Sequence, residues 1–202
     1  MVPWKRQPCV GDVRTAYSAR FGNVSGVQDL ISSGVNVQAS QNWALYEAAK
    51  SGHIAVVEML LSAGANINGG RSSHHTPLKS ACESGNAQLV QLLITRGVQE
   101  GSLDGLLHAQ CYPSRSEEVF DVLLAAGADV NDNNGVALSL ASSYGRTSLV
   151  KKLLASGADL NLWNSRRALM RAEENHHDDI SALLRAAGAT DGPQPGMVFV
   201  AY

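Results

Sequence analysis

The residue types in this chain that suggest chemistry are cysteines, paired histidines and paired carboxylates. His74-His75 and His176-His177 are the natural metal candidates. Adjacent side chains on a helix point about 100° apart, so neither pair can close on one ion from a helix. Cys82 and Cys111 have no Cys or His partner at the spacing a zinc site uses. They read as small buried thiols, and the histidine pairs as polar turn patches. The third cysteine, Cys9, sits near the N-terminus, where exposure is expected. No G-x-S-x-G elbow, H-E-x-x-H helix or phosphate loop is present to activate a nucleophile. Glu117-Glu118 and Glu173-Glu174 read as solvated helix faces rather than an acid–base pair. No catalytic residue, cofactor or metal is expected, and the chain is read as not an enzyme.

Composition narrows the class further. The 202 residues are 45% apolar but only 5% aromatic, with 19 glycines. Such a core suits small helices packed closely. The net charge is −2, without the strong positive field of a nucleic-acid binder. An odd cysteine count argues against a disulfide framework. No apolar run follows Lys5 and Arg6, and no stretch reaches membrane-spanning length. The expectation is a soluble, cytoplasmic and monomeric protein, without nucleic acid or membrane as partner.

One phrase recurs along the chain. It reads DLISSGVNV at 29–37, EMLLSAGANIN at 58–68, QLLITRGVQ at 91–99, DVLLAAGADVN at 121–131, KKLLASGADLN at 151–161 and ALLRAAGAT at 182–190. Its glycines, Gly34, Gly64, Gly97, Gly127, Gly157 and Gly188, are spaced by 30, 33, 30, 30 and 31 residues. A fixed period in this range is the signature of a repeat array. The unit at 43–64 shows what each repeat contains. A first helix is predicted from Trp43 to Lys50, with Leu45, Ala48 and Ala49 as its apolar stripe. Ser51-Gly52 ends it. A second helix runs from Ile54 to Ser62, with Val56, Val57, Leu60 and Leu61 facing the core. Helices of two turns are marginal alone, so the units must stack to bury a shared core. Leu30, Leu78, Leu89, Leu92, Leu93, Leu123, Leu138, Leu149, Leu153, Leu169 and Leu183 extend that core through the other repeats.

The repeats resemble ankyrin repeats. The family phrase T-P-L-H-x-A-A-x-x-G-H is matched by Thr76 through Asn86, and in altered form by Trp43 through His53 and Val136 through Arg146. The resemblance covers residues 11–190 and implies an all-α ankyrin-repeat solenoid of about six helix-turn-helix units. Their limits fall near 11–37, 38–68, 69–100, 101–131, 132–161 and 162–190, with an N-terminal segment at 1–10 and a C-terminal tail at 191–202. Departures are plain. Thr-Pro survives intact only at Thr76-Pro77, and the family's histidine only at His108, its slot otherwise holding Tyr46, Lys79, Ser139 and Met170. The turn Cys111 to Ser116 is one residue longer than its counterparts. A period of 30 implies shortened inter-repeat turns.

The resemblance also implies a protein partner, held on a concave face built from the inter-repeat turns and the exposed side of the first helices. By register that face contains Arg20, Phe21, Lys50, Glu83, Tyr112 and Tyr144 from first-helix ends. The turns add Gln41, Asn42, His74, His75, Asn133, Asn134, Trp163 and Arg166. Aromatic and arginine side chains at such positions are what interface hot spots use. An adaptor, scaffold or inhibitor is the first functional expectation; an effector secreted by a pathogen to engage a host protein is the alternative, and an enzyme with an unrecognised site, such as a hydrolase or transferase, is the least favoured reading. The family resemblance implies asparaginyl hydroxylation at Asn68, Asn131 or Asn161, against which stands a turn-stabilising hydrogen bond. The apolar end, Met197 to Tyr202, is expected to fold back on the last repeat, with addition to a partner's sheet edge as the alternative.

Overall fold

A computed structural model describes residues 10–69, 76–98, 103 and 105–190. Twelve α-helices and no strand occur among the described residues. They are α1 (Val10–Arg20), α2 (Val24–Ser32), α3 (Ala39–Lys50), α4 (Ile54–Ser62), α5 (Pro77–Ser84), α6 (Ala87–Thr95), α7 (Leu106–Ala109), α8 (Glu117–Ala125), α9 (Asp132–Ser143), α10 (Thr147–Ala155), α11 (Arg167–Glu174) and α12 (Asp178–Ala186). They fall into two compact units, one of residues 1–106 with 115–127 and one of 107–114 with 128–202.

Within each unit, first helices pack on first helices and second on second. In the first unit α1 lies on α3 and α3 on α5, while α2 lies on α4 and α6 on α8. In the second, α9 lies on α11 and α10 on α12. Small residues make the approach of the first helices possible: Ala16, Ala19, Ala48, Ala49, Ala81, Ala141 and Ala172 are all buried. The second helices bring the bulk, and Leu60, Leu93, Leu123, Leu153 and Leu184 are fully buried at one register position, four residues before the repeat glycine.

Local signals set the helix limits. The side chain of Thr76 caps α5 by accepting the Lys79 N–H at 3.2 Å, with Pro77 at the first helical position. Asn86 caps α6 through the Leu89 N–H at 3.0 Å. At the far end of α4, Gly64 takes φ +93°, donates to the Leu61 carbonyl and lets Ala65 donate to Leu60. That double closure needs a left-handed residue, which is why glycine recurs there.

In each unit one first helix carries polar residues where the first helix packed against it buries small ones. Where the inner first helix α3 buries Ala44 and Ala48, α1 carries Arg14 and Ser18. Where α3 and α9 bury Ala49 and Ser142, α11 carries exposed Glu173, paired with Arg185.

The shortened period has a specific cause. Ser40, Gln41 and Asn42 take φ values of 50°, 61° and 59°, and Asn133, Asn134 and Gly135 take 50°, 58° and 75°. Each triplet is one turn of left-handed helix standing where a longer loop would otherwise pass. Left-handed backbone costs roughly 1–2 kcal/mol per non-glycine residue, so each turn needs compensation. Asn42 Oδ1 accepts the Asn66 N–H at 2.9 Å, and Gln38 donates to the Gly64 carbonyl at 2.7 Å. At the second turn Asn131 occupies the Gln38 position. Its side chain donates to the Gly157 carbonyl at 3.2 Å and accepts the Asp159 N–H at 2.8 Å.

Four core expectations require adjustment. Leu30, Leu92 and Leu183 are half-buried rather than buried. On α6 and α12 the helix turns Leu93 and Leu184 inward instead, and Leu61 likewise stands half out beside buried Leu60. Leu30 in addition belongs to the first repeat, which has no described repeat before it.

Candidate protein-binding face

Each unit presents a pair of exposed aromatic rings at the end of a first helix. In the first unit Tyr17 and Phe21 are one turn apart on α1, 66% and 61% exposed, with ring centroids 4.6 Å apart and tilted by 47°. The Arg20 guanidinium lies 6.0 Å from the Phe21 centroid, and Lys50 Nζ lies 5.7 Å from that of buried Tyr46. In the second unit Tyr112 and Tyr144, 41% and 40% exposed, stand 5.3 Å apart with a 44° tilt. Trp163 of that unit is 55% exposed.

The backbone that carries these rings is fixed from the next repeat. His53 Nε2 donates to the Arg20 carbonyl at 3.0 Å, and its ring covers Gly22 so closely that a Cβ there would meet it at 2.8 Å. Asn86 donates to the Gly52 carbonyl and Arg115 to that of Glu83. The second unit repeats the device. Arg146 Nη1 donates to the Tyr112 carbonyl at 2.8 Å, and His177 Nε2 to that of Ser143 at 3.3 Å, above Gly145. The residues opening α4, α6, α10 and α12, and Arg115 just before the cap of α8, thus tie down the end of the first helix in the repeat before. Exposed rings on a fixed backbone lose little entropy when covered, which is the property an interface anchor needs.

Of the residues read from sequence, Arg20, Phe21, Gln41, Lys50, Glu83, Tyr112, Asn133, Asn134, Tyr144 and Trp163 are exposed, and Arg166 is half-buried. Asn42 is a correction. It is 6% exposed, because its amide is drawn under the turn to the Asn66 N–H. At Asn133 and Asn134 the carbonyls are used by Asn164, whose side chain and backbone N–H donate at 2.8 and 3.0 Å. His74, His75, Cys9 and the apolar end at 197–202 lie outside the described residues. Tyr17 was missed, although its signal was legible. It stands four residues before Phe21, at helical spacing and in the register of Glu47.

The reactive groups are placed for structure. Cys82 and Cys111 are buried, and burial pushes each thiol up to about 12. Neither supplies thiolate near neutral pH. Burial lowers the pKa of His108 against the opposing pull of Asp132, whose carboxylate is 3.9 Å away. Asn131 and Asn161 make turn hydrogen bonds through their side chains, the latter to Asp159 at 3.0 Å. Among the described residues, no cluster of three His, Cys, Asp or Glu could hold a metal, and no helix is long and apolar enough to cross a membrane.

Stacked helix pairs with a glycine-closed second helix define the class of helical repeat proteins. The family model for ankyrin repeats (3 copies) matches residues 15–104 and 106–192, and the chain belongs to the ankyrin-repeat family. It is 33% identical over 185 residues to the Caenorhabditis elegans ankyrin repeat and KH domain-containing protein mask-1, covering 88% of this chain and 7% of that protein. It is 38% identical over 136 residues to Danio rerio ankyrin repeat and SOCS box protein 11, covering 62% of this chain and 45% of that one. The chain therefore spans less than half of either relative. The crystal structure of the human ASB11 ankyrin repeat domain superposes with TM-score 0.73 at 29% identity, over 87% of this chain and 84% of that one. A complex of a Bdellovibrio bacteriovorus predatory endopeptidase with an immunity protein gives 0.72 at 24%, over 86% and 97%, a likeness of fold alone. Ankyrin repeats are in general protein-interaction modules.

Proposed function

We propose that this chain is a protein-binding module that holds a partner on the first-helix faces and inter-repeat turns, as an adaptor, scaffold or inhibitor. The observation that carries the reading is the pair of aromatic clusters, Tyr17 with Phe21 and Tyr112 with Tyr144, left exposed on backbone that neighbouring repeats tie down. Paired exposed rings on fixed backbone are the kind of surface that interface hot spots use. The test is an affinity capture from lysate of the source cell, with the full chain beside a folded Phe21→Ala, Tyr144→Ala, Trp163→Ala variant. The expected result is a specific protein retained by the parent and lost by the variant. The same proteins retained equally by both would remove the face from consideration.

A further inference from the structure

The chemistry of the first unit's face narrows what it can hold, and the following rests on the protein-binding reading. Three exposed cations lie on α1 and on α3, the helix packed against it. Arg14 and Arg20 share the outward side of α1 with the rings, at helical spacings of three from Tyr17. Lys50 occupies the register of Arg20 on α3, the helix packed against α1. Among the described residues, none of the three has a carboxylate partner. Arg20 is stacked near Phe21 and Lys50 near Tyr46, so the positive charge lies beside aromatic surface instead of beside acid.

Two acids stand on the neighbouring first helices. Glu47, on α3, accepts the Trp43 indole N–H at 3.0 Å. Glu83 takes the Lys50 register one repeat further on, with Lys79 a turn before it on α5. The row thus runs Arg20, Lys50, Glu83. A phosphate backbone continuing along it would meet Glu83, and the whole chain is −2, so nucleic acid is a poor match. A short acidic segment matches the two cationic positions and ends before the acid.

We infer that the face formed by Arg14, Tyr17, Arg20, Phe21 and Lys50 binds an acidic segment of a partner protein that carries a bulky apolar side chain between its acids. The apolar group covers the ring pair, and carboxylates on either side meet Arg14, Arg20 and Lys50. Exclusion of water by the covered rings strengthens those charge pairs. Charge of this kind sets specificity and association rate, so binding weakens with salt.

The probe is a fluorescently labelled peptide, Glu-Asp-Leu-Trp-Asp-Glu, titrated by anisotropy into the full chain. Its counterpart has every acid replaced by Lys, and oligothymidylate and phosphatidylserine vesicles serve as competitors. The variants are Arg20→Glu with Lys50→Glu, and Tyr17→Ala with Phe21→Ala, all at exposed positions and each checked for helicity by circular dichroism. The acidic peptide is expected to bind the parent, about ten-fold or more weaker to either double variant. The Arg20→Glu, Lys50→Glu chain is expected to prefer the basic peptide. Equal affinity for the two peptides, or preferential binding of oligothymidylate or vesicles, overturns the inference. If charge reversal leaves the captured partner bound while Tyr17→Ala with Phe21→Ala releases it, the acidic chemistry is wrong and the protein-binding reading stands. If both variants keep every captured partner, this face is not the site at all.

Discussion

Gly135 is the position where a single methyl group should do most damage for its size. It closes the second left-handed turn at φ +75°, it is buried, and its N–H donates to the Asn131 carbonyl at 3.0 Å. A Cβ there would fall far inside contact distance of Ser165 Oγ, on a residue only 2% exposed. Gly135→Ala therefore carries two costs. Left-handed strain contributes about 1–2 kcal/mol, and displacing a packed side chain another 1–3 kcal/mol or so. Their sum, roughly 2–5 kcal/mol, is a large share of the stability of a domain this size. The two costs separate in a double-mutant cycle. Ser165→Ala removes the hydroxyl that obstructs the methyl, together with its 3.4 Å hydrogen bond to the Gly135 carbonyl. In that background Gly135→Ala should cost the strain and the milder contact with the remaining Cβ at 3.2 Å, so the coupling is expected at about 1–3 kcal/mol. Urea denaturation followed by circular dichroism measures all four corners. A cost under about half a kcal/mol, or the same cost in both backgrounds, would refute the reasoning about this turn.

Three further outcomes follow from the packing. Leu60 is fully buried on α4, and Leu60→Ala should lower stability by about 2–5 kcal/mol in chemical denaturation; a loss below half a kcal/mol or so would contradict the register. The thiols of Cys82 and Cys111 titrate near 12 in the folded chain against 9.0 for a free thiol. The unfolded state alone releases protons above that lower value, so these groups lower stability as pH climbs from 9 toward 12. Cys82→Ala with Cys111→Ala should flatten that decline, read from denaturation midpoints across pH. Asp179 is held below the usual carboxylate range chiefly by the Thr147 hydroxyl, which donates to Oδ2 at 2.6 Å. Thr147→Val should raise the Asp179 pKa, read by NMR titration of the carboxyl carbon, and an unmoved pKa counts against that bond.

What sequence could reveal tracked how local each interaction is. The limits of α4 followed from Gly52 and Gly64, and the start of α5 from Thr76-Pro77, because caps act within one turn. The regular part of α3 begins at Trp43, as the spacing of Leu45, Ala48 and Ala49 requires, since apolar periodicity is also local. The burial of Cys82 and Cys111 followed from register, which repetition makes trustworthy. Asn42 did not follow, because its fate depends on the Asn66 N–H 24 residues away. Its register partner is Gly135, so the same position holds an amide in one repeat and needs a bare Cα in another. The difference lies in what the next repeat offers: a backbone N–H at Asn66, a packed hydroxyl at Ser165. Tyr17 was lost for the opposite reason. Its column holds Glu47, Ser80 and Leu140, so comparison among repeats hides a residue that is unusual in its own repeat. In a repeat protein the conserved period reports the fold, and a partner is selected by the residues that depart from it. Tyr17, Phe21 and Arg20 are such departures, which is why the face they form carries more information about function than the repeats that display it.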